Sequence, residues 1–217
     1  APDAIVQRIP PGVLADSGDE SYEPSVSADG RYTAFHSYVD NLVSGDLDGL
    51  PDVFVYDRQT GQTELVSVDA NGVNVYGYFY DPSISDDGRY VAFYGASTDL
   101  VPGTTDWLSH VYVRDRQTGT VSLISIKSNG AQGNSNSYYP AVSANGQFVA
   151  FASYASNLVA GDTNNTADIF VHNRSTGVTS RVSLKATNTQ ANDSSWSPTV
   201  SADGRYVAFY SYATNLV

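Results

Sequence analysis

Two stretches of this chain carry oxygen-bearing side chains at a spacing that suits a hard cation. They are Gly45-Asp46-Leu47-Asp48-Gly49-Leu50-Pro51-Asp52 and Gly161-Asp162-Thr163-Asn164-Asn165-Thr166-Ala167-Asp168. Oxygens at alternate positions, a tight turn and a further carboxylate are what Ca²⁺ asks of a loop. The candidate metal ligands are therefore Asp46, Asp48 and Asp52 in one loop and Asp162, Asn164 and Asp168 in the other, with calcium as the implied cofactor. The spacing is shorter than an EF-hand and lacks its closing Glu. At the equivalent positions between them stand Thr104, Asp106 and His110, with two carboxylates gone. An Asx turn, in which the same side chains bond their own backbone, is the competing account and needs no ion.

A second set of residues suits a neutral, hydroxyl-rich ligand. Tyr76 and Tyr78, then Asn134, Asn136 and Tyr138, then Asn192, place aromatic faces beside amides, the surface a saccharide needs. Tyr22, Tyr80, Tyr139 and Trp196 stand one or two residues before a proline each time, and there rings that plug the space between packed elements are the better reading. Catalysis finds little support. His36, His110 and His172 are the only histidines, and no two share a place in the repeat described below. There is no nucleophile elbow, zinc-binding helix motif or phosphate-binding glycine loop. The chain reads as a non-enzyme.

Composition narrows the partners. The formal charge is −12 and only Lys127 and Lys185 are lysines, so phosphate backbones are repelled and nucleic acid is not expected. No window is apolar enough to span a membrane. There is no Cys, which excludes disulfides and thiolate chemistry, and no Met. The start Ala1-Pro2-Asp3-Ala4 reads as a mature product cleaved at a small residue, although an excised fragment would begin the same way. The expected location is extracellular, secreted or at the cell surface.

The elements that must position these residues follow from a repeat. EPSVSADGRYTAFHS from Glu23 returns as DPSISDDGRYVAFYG from Asp81, YPAVSANGQFVAFAS from Tyr139 and SPTVSADGRYVAFYS from Ser197, at intervals of 58 residues. A fixed long period means one supersecondary unit stacked on copies of itself. Gly 18, Tyr 16 and 20 Asp against 3 Glu describe strands joined by tight turns. In the first unit the strands are expected at Ser25–Ser27, Tyr32–Ser37, Asp52–Asp57 and Thr63–Val68, with turns at Ala28-Asp29-Gly30 and Arg58–Gly61. The later units repeat this, their fourth strands falling at Val121–Ile126 and Thr179–Leu184. Strands such as VFVY and VAFY are apolar without alternation, as when both faces of a sheet are covered. The expected fold is all-β: a β-propeller of about four four-stranded antiparallel blades.

The unit S-x-D-G-R-Y-x-A-F, N-L-V-x-G-D-x-N/D, D-x-F-V-x-D-R-x-T-G resembles the TolB-like propeller repeats of exported bacterial proteins, in their tandem form, over essentially the whole chain. The resemblance implies a propeller and leaves the role open, since such propellers serve as binding platforms, assembly scaffolds and non-catalytic parts of peptidases. The whole chain, 1–217, reads as one domain, with units at about 22–79, 80–137 and 138–195, and a partial one at 196–217 plus 1–21. Residues near Ala1 are expected to supply a strand that completes the last blade, from the same chain in cis or from another copy in trans. Asp29/Arg31, Asp87/Arg89 and Asp203/Arg205 change together to Asn145/Gln147, so each pair is expected to meet or share partners as architecture.

The function these features imply is a non-enzymatic extracellular module, structural or adhesive, that binds or assembles, polymerising by strand exchange between incomplete ends. Its partner is then itself or another protein, reached by strand addition. The alternatives are a lectin for cell-surface glycan that uses the loop face with Ca²⁺, and a non-catalytic propeller of a larger exported enzyme.

Overall fold

The computed structural model describes residues 20–46 and 48–217. The first blade is β1 (Ser21–Val26), β2 (Tyr32–Ser37), β3 (Asp52–Asp57) and β4 (Gln62–Leu65). The second is β5 (Tyr78–Ile84), β6 (Tyr90–Ala96), β7 (His110–Asp115) and β8 (Thr120–Leu123). The third is β9 (Ser137–Val142), β10 (Phe148–Ser153), β11 (Asp168–Asn173) and β12 (Val178–Arg181). Each is a four-stranded antiparallel sheet in chain order, and β13 (Ser195–Val200) with β14 (Val207–Ser211) forms a fourth, two-stranded sheet. This is the expected all-β propeller. The strand expected to complete the last blade falls on residues 1–19, outside the described residues.

Two boundaries differ from expectation, each for a local reason. The first strand begins at Ser21, four residues early, because Pro24 sits inside it at a bulge. Glu23 takes φ 52, and the pairing resumes at Ser25↔Ala34. Asp81, Tyr139 and Ser197 do the same before their prolines. A bulge leaves one residue unpaired, so proline's missing donor costs nothing there. The fourth strand stops at Leu65 because Ser67 breaks the ladder: its Oγ accepts the Val53 N–H at 3.0 Å and donates to the Asp52 carboxylate. Ser125 and Ser183 repeat the contact with Val111 and Ile169 at 3.1 Å, which ends β8 and β12 early too.

The blades stack through aromatic rings set on glycine turns. Tyr32 lies so close over the next blade's turn that a Cβ on Gly88 would fall 2.1 Å from its Cδ2. Tyr90 meets Gly146 and Phe148 meets Gly204 in the same way. Arg116 lies over the Tyr32 ring at 4.6 Å and Arg174 over Tyr90 at 4.4 Å, each a cation on an aromatic face. Behind the rings, Phe93, Tyr112, Val91 and Leu100 bury into one core between the first two blades; Phe151, Phe170, Val149 and Leu158 form the next. Among the described residues the fourth blade's Tyr206 has no such cover and is 67% exposed, and nothing lies within 4 Å of the Cβ position of Gly30.

Candidate functional site

The connections between second and third strands and those between blades emerge together and are laced by hydrogen bonds. The Ser109 N–H donates to Asn136 Oδ1 at 2.9 Å. The Asn134 N–H donates to Asn157 Oδ1 at 3.0 Å and its amide to Ser156 Oγ at 3.1 Å. Asn192 does likewise with Asn215 and Thr214, at 3.1 and 3.0 Å. The three amides singled out for saccharide hydroxyls therefore tie loop to loop. Tyr76 is exposed and stands edge-on to exposed Trp107 at 5.9 Å, a partner that sequence reasoning missed. Tyr78 is partly exposed, and Tyr138 packs edge-on to Tyr94 at 5.2 Å.

The acidic loops differ from blade to blade. In all three the middle residue makes an Asx turn: Asp48, Asp106 and Asn164 accept from the N–H of Leu50, Leu108 and Thr166 at 3.0, 3.1 and 3.3 Å. In the third blade Arg181 Nη1 lies 3.0 Å from Asp162 Oδ1 and 2.9 Å from Asp168 Oδ2, and the Asn164 amide donates to Asp168 at 2.9 Å. A guanidinium thus stands where an ion was expected. In the second blade buried His110 Nε2 lies 3.0 Å from Asp106 Oδ1, and the Gln132 amide donates to Asp106 Oδ2 at 2.8 Å.

In the first blade Asp46, Asp48 and Asp52 each bring a carboxylate oxygen within 4.8 Å of the others. Asp46 and Asp52 are each 1% exposed, and no ion pair reaches either among the described residues. Burial pushes the Asp52 carboxyl up to about 8, with Asp46 and Asp48 adding repulsion. Burial, then Asp48 and Asp40, pushes Asp46 up to about 6. The sequence held the signal for this difference: Arg181 stands where the other units have Leu65 and Leu123.

A different aromatic site forms where the first strands of three blades converge. Tyr22, Tyr38, Tyr80, Tyr94 and Tyr139 surround a cavity of about 550 Å³ with Glu20, Glu23, Asp81 and His36. Tyr22 stacks on His36 at 5.5 Å, Tyr80 meets His36 edge-on at 5.3 Å, and Tyr94 lies 5.6 Å from Tyr80. Tyr22 and Tyr139 are partly exposed, so they line an opening and do not fill it, contrary to the plug expected at those positions. Trp196 extends the row, edge-on to Tyr139 at 6.0 Å. Burial holds the His36 imidazole below its usual range and raises the Glu23 carboxyl. Among the described residues that line it there is no lysine or arginine. Glu23, His36 and Asp81 also place ligand atoms within 4.8 Å of one another, a second set able to hold a metal. The bulge places two members of this set: positive φ at Glu23 and Asp81 interrupts the strand alternation there.

No family model and no curated protein matches the chain. Solved structures do. TolB from Acinetobacter baumannii is 18% identical with a TM-score of 0.57, over 91% of this chain and 39% of that one. A putative TolB from Agrobacterium tumefaciens is 18% identical with a TM-score of 0.50, over 88% of this chain and 59% of that one. A structure from a study of two prolyl endopeptidases is 14% identical with a TM-score of 0.53, over 89% of this chain and 26% of that one. The chain thus spans less than two thirds of the length of each. The likeness is one of fold, and the fold is the TolB-like β-propeller.

Proposed function

We propose that this chain is a non-catalytic binding propeller, and that the cavity between its first strands takes a cationic group, such as a lysine or arginine side chain, on an extended segment of a partner protein. The observation that carries this is five tyrosines around about 550 Å³ with Glu20, Glu23 and Asp81, and no lysine or arginine among the described residues of the lining. Aromatic faces attract a cation through their negative quadrupole, and the carboxylates complement its charge. A space of that size suits a side chain or small organic molecule better than a bare ion. The acidic, cysteine-free composition suits an exported module, the setting in which we place it.

The test is binding of short arginine- and lysine-containing peptides by calorimetry, with citrulline-containing peptides, neutral oligosaccharides and Zn²⁺ as separate arms. Salt-sensitive binding of basic peptides that Asp81→Asn weakens is expected. Binding of sugars alone, of Zn²⁺ alone or of nothing overturns the reading.

A second reading, assembly, rests on Tyr206 and Gly30. Three times a ring covers the next blade's glycine turn, while among the described residues nothing covers Tyr206 and no ring lies on the Gly30 turn. The two faces are copies of surfaces that already pair inside the chain, so a second copy of this chain docked head to tail, or a strand added along β14, suits them. Light scattering and electron microscopy of the purified chain test this. Rings or filaments that Tyr206→Ala disperses are expected, and a monomer at all concentrations overturns it.

A further inference from the structure

We infer that the first blade binds one calcium ion between Asp46, Asp48 and Asp52, and that the second and third blades have replaced this ion with side chains of their own. The three loops are copies, so each is a control for the others. In the third blade, Asp162 and Asp168 share the Arg181 guanidinium at 3.0 and 2.9 Å. In the second, Thr104 and His110 replace the outer carboxylates, and His110 and Gln132 both contact the remaining Asp106. In the first, all three carboxylates are present, and the counterpart of Arg181 is Leu65. A fourth carboxylate, Asp40, joins them where the other blades have Thr98 and Ser156. Negative charge is therefore greatest in the blade that lacks an internal cation.

The buried oxygens are also unsatisfied. As carboxylates, Asp46 Oδ1, Asp52 Oδ2 and Asp40 Oδ1 have no hydrogen-bond partner among the described residues, although Asp46 and Asp52 are almost wholly buried. Carboxylates out of water without a partner are strongly disfavoured, which is why buried charges are paired or bound to metal. Oxygens bound to one Ca²⁺ at about 2.3–2.6 Å lie no more than about 5 Å apart, and the three carboxylates meet that limit at 4.8 Å. Asn74 stands at the register position of Gln132 and Gln190, the residue after the blade's last strand that bridges Val68, Ile126 or Leu184. Those glutamines reach the acidic loop of their own blades, Gln132 at Asp106 and Gln190 at Thr163, and Asn74 Oδ1 is without a partner among the described residues. The donors are all oxygen, which favours a hard cation over zinc or copper. Exposed Asp48 forms the rim through which the ion enters.

The test uses the intact chain, freed of metal and titrated with CaCl₂ by calorimetry, with thermal melts in parallel. We expect one equivalent bound with a Kd of about 10⁻³ M or tighter, as in extracellular calcium modules, and a Tm rise of about 5 °C near saturation. Asp52→Asn should abolish binding, and Asp162→Asn should leave the stoichiometry at one. Leu65→Arg imports the third blade's solution, so it should raise the calcium-free Tm and remove the response to calcium. Because it places a long side chain near the core, Asp52→Asn is the variant that decides should Leu65→Arg not fold. No calcium binding at about 10 mM, binding that survives Asp52→Asn, or an equal response to Mg²⁺ overturns the inference.

Discussion

Arg31 grips Asp57 with two hydrogen bonds, Nε to Oδ1 at 2.9 Å and Nη2 to Oδ2 at 2.7 Å, at one end of the antiparallel pair β2 and β3. Arg89 and Asp115 repeat the grip at 2.8 and 2.7 Å. In the third blade the couple becomes Gln147 and Asn173, Nε2 to Oδ1 at 3.5 Å. The paired change seen in the repeat is thus between positions 31 and 57. Asp29, expected to meet Arg31 or share partners with it, accepts the Arg31 backbone N–H at 2.9 Å and shapes the turn. The double substitution Arg31→Gln with Asp57→Asn should therefore melt closer to the native protein than either single change. Four thermal melts, forming a double-mutant cycle, measure this; additive losses would show that the grip is not a unit.

The same carboxylates set the acid limit of stability. Arg89 holds the Asp115 carboxyl down to about 2, and Arg31 holds Asp57 well below its usual range. A depressed folded pKa contributes stability above the ordinary value of 3.8, and that contribution is lost as pH falls through the folded value. Stability should therefore drop between about pH 4 and pH 2. In Arg89→Gln the Asp115 pKa returns toward normal, so the acid limb should flatten. Denaturant unfolding at a series of pH values reads both slopes.

Gly146→Ala should be among the costliest single changes in the chain. The new Cβ would fall 2.0 Å from Tyr90 Cδ2 at a backbone φ of +70°. Overpacking and backbone strain together predict a loss of about 2–4 kcal/mol. Gly130 shares a positive φ of +87° but has open space around it, so Gly130→Ala should cost only about 1 kcal/mol. The difference, read from urea midpoints, isolates the contact between blades.

Arg181→Leu rebuilds the first blade's arrangement in the third. It leaves Asp162 and Asp168 buried without their cation, and a loss of about 3–5 kcal/mol is expected. Added calcium should recover part of that loss in the variant. A loss that calcium leaves untouched would mean that the loop backbone differs between the blades.

Amino-acid order alone determined the architecture. Tight turns at Asp-Gly and Thr-Gly, β-branched and aromatic runs and the 58-residue period act locally and recur, so they are legible without coordinates. The Asx turns at Asp48, Asp106 and Asn164 were equally local. What the chain order could not state was which distant groups share a space. Pro24 marked the first strand, yet only the sheet revealed that it sits at a bulge and lets pairing run on to Ser21. Arg181 lies thirteen residues beyond Asp168 in sequence and 2.9 Å away in space, because β11 and β12 are antiparallel neighbours. Tyr22, Tyr80 and Tyr139 come from three blades, and their common cavity exists only because the first strands converge. Burial and charge balance depend on everything within a few ångströms, whatever its place in the chain. For that reason Arg181 and His110 could be seen in the sequence as departures from the repeat, but only tertiary structure showed that each contacts the acidic loop of its own blade and that Leu65 leaves the first loop, among the described residues, without a cation.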